Sequence, residues 1–167
     1  MTLDEFVQEI DPEDRTPATE AEVARFEALI GHALPDAYRA LLLLTGGGHI
    51  NGRCRFGNGD GEPNRYYLVM LGLTPEGPLS LEGFHQNPGW YPVPTALLVI
   101  GNDSGGNSLA ISLRDDRFGE VFLIDHELVS YDKNMQETIE EAEEYGLAMP
   151  YAPSFGDLLA NSALTPT

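Results

Sequence analysis

The chain has 167 residues, with 27 acidic side chains against nine basic ones and a formal net charge of −18. Nucleic acids and anionic membranes recruit proteins through Lys and Arg, so this balance disfavours both and suits either a basic protein partner or simple solubility. With Gly counted among the apolar residues and Tyr left out, about half of the chain is apolar, which sets it apart from chains disordered by charge.

The opening MTLDEFVQEI is acidic and mixed, unlike the basic start and apolar core of a secretory leader. Apolar runs such as Ala40 to Leu44 fall far below the roughly 18 residues of a membrane span, so a cytoplasmic protein is expected. Thr19 with Glu22 three residues on is a capping box, in which the hydroxyl accepts an orphan amide and the carboxylate reaches back. Val23, Phe26 and Ile30, with Leu29 beside them, follow at helical spacing, and Gly31 supplies the stop. A second helix restarts at Leu34-Pro35-Asp36, with Pro in the first turn, where its missing N–H costs nothing. Tyr38, Leu41 and Leu42 mark its apolar side, and Gly46-Gly47-Gly48 ends this helical hairpin.

From Ile50 to Leu71 the pattern turns to strands broken by turns, with a glycine-dense loop over residues 57–61 and an apolar strand over Tyr66–Leu71. Pro75 to Pro94 carries five prolines together with Trp90 and Tyr91, and is expected to be an extended connector with aromatic anchors. A meander follows: strands over Ala96–Ile100, Ser108–Leu113 and Glu120–Ile124, with turns at Gly101–Asn107 and Arg114–Gly119. Asn134 to Tyr145 then reads as one helix, with Met135, Ile139 and Ala142 inward and Glu137, Glu140, Glu141, Glu143 and Glu144 around them. Ser154 and Asp157 cap a last short helix carrying Phe155, Leu158 and Leu159. The order of helices, antiparallel strands and helices defines an α+β chain: an N-terminal helical hairpin packed on a mainly antiparallel twisted sheet, with C-terminal helices.

Several stretches resemble chemical motifs without completing them. Gly101-Asn-Asp-Ser-Gly-Gly-Asn-Ser108 has phosphate-loop glycine spacing, but Asn107 stands where the lysine belongs and a strand follows instead of a helix N-terminus. A structural turn fits better, with Gly105 and Gly106 at positive φ and Asp103 or Asn102 bonding local amides. Asn58, Asp60 and Glu62 alternate like calcium ligands, yet Pro63 and Val69 occupy the positions where an EF-hand needs Gly and Glu. What remains there is a weak surface calcium site in the Asn58–Glu62 loop or a solvated glycine loop. Histidines 32, 49, 85 and 126 form no i, i+4 pair, and Cys54 is the single cysteine, so neither a disulfide nor a thiolate metal cluster is expected. His126 lies between Asp125 and Glu127, carboxylates that would favour its protonated form if they are close. A nucleophile at Cys54 has no recognisable activating context, and a packed thiol is the simpler state.

The acidic helix is the most pointed feature. Like charges at i, i+3 and i+4 each cost an isolated helix about a few tenths of a kcal/mol, so a segment tolerating several must gain something in return. That gain is either solubility or reception of Arg and Lys side chains from a basic protein.

Five stretches in register carry a family resemblance: Phe26-Glu-Ala-Leu-Ile-Gly31 into Leu34-Pro-Asp-Ala-Tyr-Arg39; Leu42 to Gly47; Ile100 to Asn107 with the strand to Leu113; Gly119-Glu-Val-Phe-Leu-Ile-Asp-His126; and Ser154-Phe-Gly-Asp-Leu158. Together they resemble the SUKH superfamily, which includes fungal cell-wall synthesis regulators and many bacterial proteins. The resemblance implies one α+β domain over residues 1–167, with a core from about 17 to 160, and neither catalytic residues nor a cofactor. In bacteria it implies an immunity protein that binds a cognate polymorphic toxin, often a nuclease, in the cytoplasm of the producing cell. The Pro75–Trp90 and Asp132–Pro153 stretches exceed the family pattern and are places for partner specificity. The expected site is therefore the acidic helix, with Glu137, Glu140, Glu141, Glu143 and Glu144 meeting cations and Trp90 or Tyr91 as apolar anchors. The alternatives are a regulatory or scaffold domain of the fungal type, and a small enzyme built on Cys54 or His126. The enzyme reading fails if Cys54 is buried with no histidine in hydrogen-bond reach.

Overall fold

The computed structural model describes residues 1–61, 63, 65–73, 80–90, 92–130 and 133–165. In chain order its elements are α1 (Leu3–Glu9), α2 (Glu20–Ile30), α3 (Asp36–Thr45), β1 (Gly48–His49), β2 (Cys54–Arg55), β3 (Tyr67–Met70) and α4 (Leu81–Gln86). They continue with β4 (Leu97–Asp103), β5 (Ser108–Ser112), β6 (Val121–Ile124), α5 (Ile139–Glu144), β7 (Ala148–Ala152), α6 (Phe155–Ala160) and β8 (Ala163–Leu164). Short 3-10 turns lie at Pro88–Trp90, Asp115–Arg117, His126–Leu128 and Asn134–Gln136. The α+β expectation holds.

Six strands form an antiparallel sheet in the order β1-β3-β4-β5-β6-β7, while β2 and β8 pair separately. Every residue of β5 and β6 is buried, so the centre of the sheet is covered on both faces. The helical hairpin forms as expected: Thr19 and Glu22 exchange their capping bonds, and Gly31 closes α2 in the left-handed conformation. Pro35 is the cap residue of α3 itself, one position before its first turn. Edge-to-face contacts carry the core across elements, with Phe6 5.7 Å from Phe56, Tyr38 5.5 Å from Phe155 and Phe56 5.1 Å from Tyr67. Each such pair adds roughly 0.5–1.5 kcal/mol beyond the area it buries.

Several sequence expectations change. Residues 81–86 of the presumed extended connector are helical, because Ser80 caps them by accepting from the Gly83 N–H and Leu81 is fully buried; the prolines of the sequence flank this turn without interrupting it. Positions 74–79 and Tyr91 of that stretch lie outside the described residues. The single helix from Asn134 to Tyr145 divides into a 3-10 turn and the shorter α5, because Thr138 and Glu141 form a capping box inside it. Met135 is therefore not on the helix. The strand thought to end at Ile100 continues to Asp103, and of the two glycines after it only Gly106 has a positive φ. Further elements were not anticipated, among them α1, β7 and β8. Thr2 and Glu5 cap α1, and β7 forms despite Pro150, which an edge strand tolerates.

One crossing fixes the hairpin against the sheet. The Thr16 and Ala18 N–H groups donate to the Thr45 and Leu42 carbonyls at the end of α3, and the chain then turns at Gly46 with φ +70°. A Cβ on Gly46 would collide with the Thr16 carbonyl oxygen, and one on Gly72 with the Gly46 carbonyl oxygen. Gly31 has a similar φ, but open space surrounds its missing Cβ. In chemical denaturation Gly31→Ala is expected to cost about 1–2 kcal/mol, the left-handed penalty alone. Gly72→Ala should cost clearly more or prevent folding, and equal losses for the two variants would refute the close crossing.

Candidate partner-binding surface

Scarce cations organise the acidic side of the molecule. Arg114 holds Asp116 at 2.6 Å and Glu140 at 2.5 Å. Three residues on, Arg117 grips Glu120 at 2.6 Å and Glu143 at 2.7 Å, and its guanidinium lies 4.9 Å from the centre of the Phe122 ring. Both arginines thus link the β5–β6 turn to α5, and their forks match carboxylates in two-point geometry. Hydrogen bonds from Arg114 hold the Glu140 carboxyl down to about 2. Glu120 and Glu143 push the Arg117 ionisation well above the ordinary guanidinium value.

The five glutamates predicted to face a partner are therefore not equivalent. Glu140 and Glu143 are ion-paired, and Glu141 caps its own helix through Thr138. Glu137 accepts from Lys133 at 2.8 Å, from the Tyr145 hydroxyl at 2.5 Å and from Asn134 at 3.0 Å. Burial opposes its charge, yet these three donors outweigh burial and hold its carboxyl at about 2. Burial first, then Glu137, pushes the Tyr145 hydroxyl up to about 12. Glu144 is exposed and has no ion-pair partner among the described residues. Trp90 is 57% exposed and meets Phe84 edge-on at 6.1 Å. Its neighbour Tyr91 lies outside the described residues. The helix before Trp90 packs on β4 and α5 packs on β7, so their supporting strands are three steps, or about 14 Å, apart.

The other motifs resolve into local structure. Asp103 Oδ1 accepts from the Gly105 and Asn107 N–H groups at 2.8 Å each, and Asn102 Nδ2 donates to Ser108 Oγ at 2.6 Å. His126 sets Nδ1 3.0 Å from Asn107 Oδ1, an acceptor, so the adjacent carboxylates are not its bonded partners. Asn58 and Asp60 bond each other twice at 3.1 Å, and Glu62 lies outside the described residues. Among the described residues no group of three or more His, Cys, Asp or Glu is gathered as a metal would need. Cys54 is buried in β2, and desolvation, reinforced by Glu9, pushes its thiol up to about 12. No hydrogen bond joins it to a histidine among the described residues.

Sequence reading missed a cleft of about 570 Å³ between the 58–60 loop, the 115–120 turn and the end of β7. Asp60, Asp115, Asp116, Phe118 and Tyr151 are among its lining residues. The exposed Phe118 beside the Asp115-Asp116 pair was the local signal; the pairing of β6 with β7, which assembles the cleft, has no local signature.

The α+β fold carries an acidic helix braced by arginines of the β5–β6 turn. The sequence profile of the SMI1 / KNR4 family (SUKH-1) matches residues 17–161, and the chain belongs to that family. The family includes immunity proteins and SMI1/KNR4 regulators, and its members are generally non-enzymatic binding proteins. A comparison with curated proteins gives no match. Among the described residues, no helix is long and apolar enough to cross a membrane.

Because the Glu137 carboxyl is depressed in the folded state, its contribution to stability is complete above its ordinary value of 4.5 and disappears as pH falls towards about 2. Glu137→Gln should lower the thermal midpoint at neutral pH and flatten its acid dependence across that window. An unchanged acid slope, followed by circular dichroism, would show that Glu137 is not coupled to folding.

Proposed function

We propose that this chain is an immunity protein: a non-catalytic, cytoplasmic binder that neutralises a basic toxin domain of its own bacterium. A nuclease is the best-matched class of toxin, because a negatively charged inhibitor imitates the charge of its substrate. The inhibitor acts by covering the toxin's active or substrate-binding cleft. One observation supports this above all. Every arginine except Arg65, together with Lys133, is engaged with a carboxylate, a carbonyl or an aromatic ring of the chain itself, which leaves the large carboxylate surplus to the outside.

Glu144 and the exposed ring of Trp90 are the parts of the predicted site best placed to meet such a partner, while Glu140 is held by Arg114. Glu137, Glu141 and Glu143 act behind them, holding the helix in position. The protonated state of the Cys54 thiol fits a protein that works by contact, not covalent chemistry.

The test is to purify the toxin domain encoded beside this gene and measure its affinity and activity with the chain present, over a range of salt. Binding that abolishes toxin activity and weakens steeply with salt is expected. Glu144→Lys should slow association at low salt by roughly tenfold while leaving the thermal midpoint unchanged. A toxin that stays fully active beside excess chain would overturn the immunity reading and favour the regulatory branch of the family.

A further inference from the structure

The cleft beside the 115–120 turn offers what the acidic helix lacks: uncompensated charge next to an apolar surface. Its inner wall includes Tyr151 and Ala152, 8% and 5% exposed, while Phe118 is 44% exposed. Four carboxylates line it, from Asp60, Asp115, Asp116 and Glu120, against one lining cation, Arg117. That cation is already matched by Glu120 and Glu143, and Asp116 is matched by Arg114. Asp60 and Asp115 are exposed and have no ion-pair partner among the described residues. They come from different segments, so the cleft brings together carboxylates without an ion-pair partner among the described residues; Arg65, whose charge acts on Tyr151, pairs with neither.

The protein's own contacts indicate what such a place accepts. Arg117 combines a guanidinium over the Phe122 ring with flanking carboxylates, and Lys133 combines an ammonium 4.7 Å from the centre of the Tyr145 ring with Glu137. The cleft presents the same elements, the exposed Phe118 ring beside carboxylates, to a cation from outside. Its volume of about 570 Å³ admits a long side chain together with part of the backbone that carries it. Arginine fits better than lysine, because a planar guanidinium both stacks on a ring and meets a carboxylate at two points. The Arg114 and Arg117 pairs hold the 115–120 turn in advance, which lowers the ordering cost of binding.

We propose that this cleft is the anchor pocket for an arginine side chain of the basic protein partner. The proposal rests on the reading of the chain as a binder of a basic protein, and commits to where on the surface that partner is held.

The test uses two probes on the whole chain: a tri-arginine peptide, with tri-lysine as its control, and the neighbouring toxin domain. Backbone amide shifts on titration with tri-arginine are expected at 58–60, 115–120 and 150–153, with tri-lysine binding at least several-fold more weakly. Phe118→Ala, and Asp60→Asn with Asp115→Asn, should abolish the preference for arginine and weaken the toxin complex tenfold or more. These side chains are exposed, so unchanged thermal midpoints confirm that the variants fold. Shifts spread over the whole acidic surface, or equal binding of the two peptides, would overturn the pocket. If the cleft binds tri-arginine but the chain leaves the toxin active, the pocket stands and the immunity reading falls. If the toxin is neutralised equally by wild type and cleft variants, the immunity reading stands and the pocket falls.

Discussion

Two arginines three residues apart determine how the acidic helix α5 is held against the β5–β6 turn. Arg114 and Arg117 reach from the β5–β6 turn to carboxylates 26 residues further along, on α5, and also bind acids of their own turn. An isolated exposed ion pair is worth about 0–1 kcal/mol, too little to define an element. Here each guanidinium serves two carboxylates, and the Arg117 side chain is only 19% exposed and covers the buried Phe122. Packing and charge therefore act through the same group, and its effect exceeds that of a surface pair. The repulsion among the α5 glutamates, about a few tenths of a kcal/mol per contact, is met by these bonds.

That arrangement constrains what the surface can do. With nine cations in the chain, committing most of them internally leaves no basic patch on the described surface and many carboxylates facing solvent. The acidity is thus distributed in two populations. Glu137, Glu140 and Glu143 maintain structure, whereas Asp60, Asp115 and Glu144 have no ion-pair partner among the described residues. Family membership places this chemistry in a group of generally non-enzymatic binding proteins.

What the sequence made legible was local. Thr19 with Glu22, Gly31 after Ile30, and Ser154 with Asp157 each encode an end of a helix within a few residues, and each is found where the pattern put it. The meander was legible because the run of apolar residues survives burial on both faces. Proline misled twice: it hid α4, whose Ser80 cap and buried Leu81 outweigh the flanking prolines, and it hid β7, where Pro150 sits on an edge strand. The site was less legible for a different reason. The acidic helix was visible as a list of glutamates, but which of them is paired depends on arginines 26 residues away. The cleft depends on three segments that only the sheet register brings together.

Salt separates the two carboxylate populations physically. Pairs closed at 2.5–2.7 Å are screened less than charges that act across solvent, the sheltered Arg117 pairs least and the half-exposed Arg114–Glu140 pair more. The field that guides a basic partner acts across solvent, and at physiological ionic strength it decays over a Debye length of about 8 Å. Added salt should therefore weaken capture while sparing the fold. It follows that substitutions at Glu140 or Glu143 act mainly on stability and register, whereas those at Asp60, Asp115 or Glu144 act mainly on encounter. A net charge of −18 is then the remainder after structure has taken the cations it needs, and that remainder is what the proposed basic partner would meet.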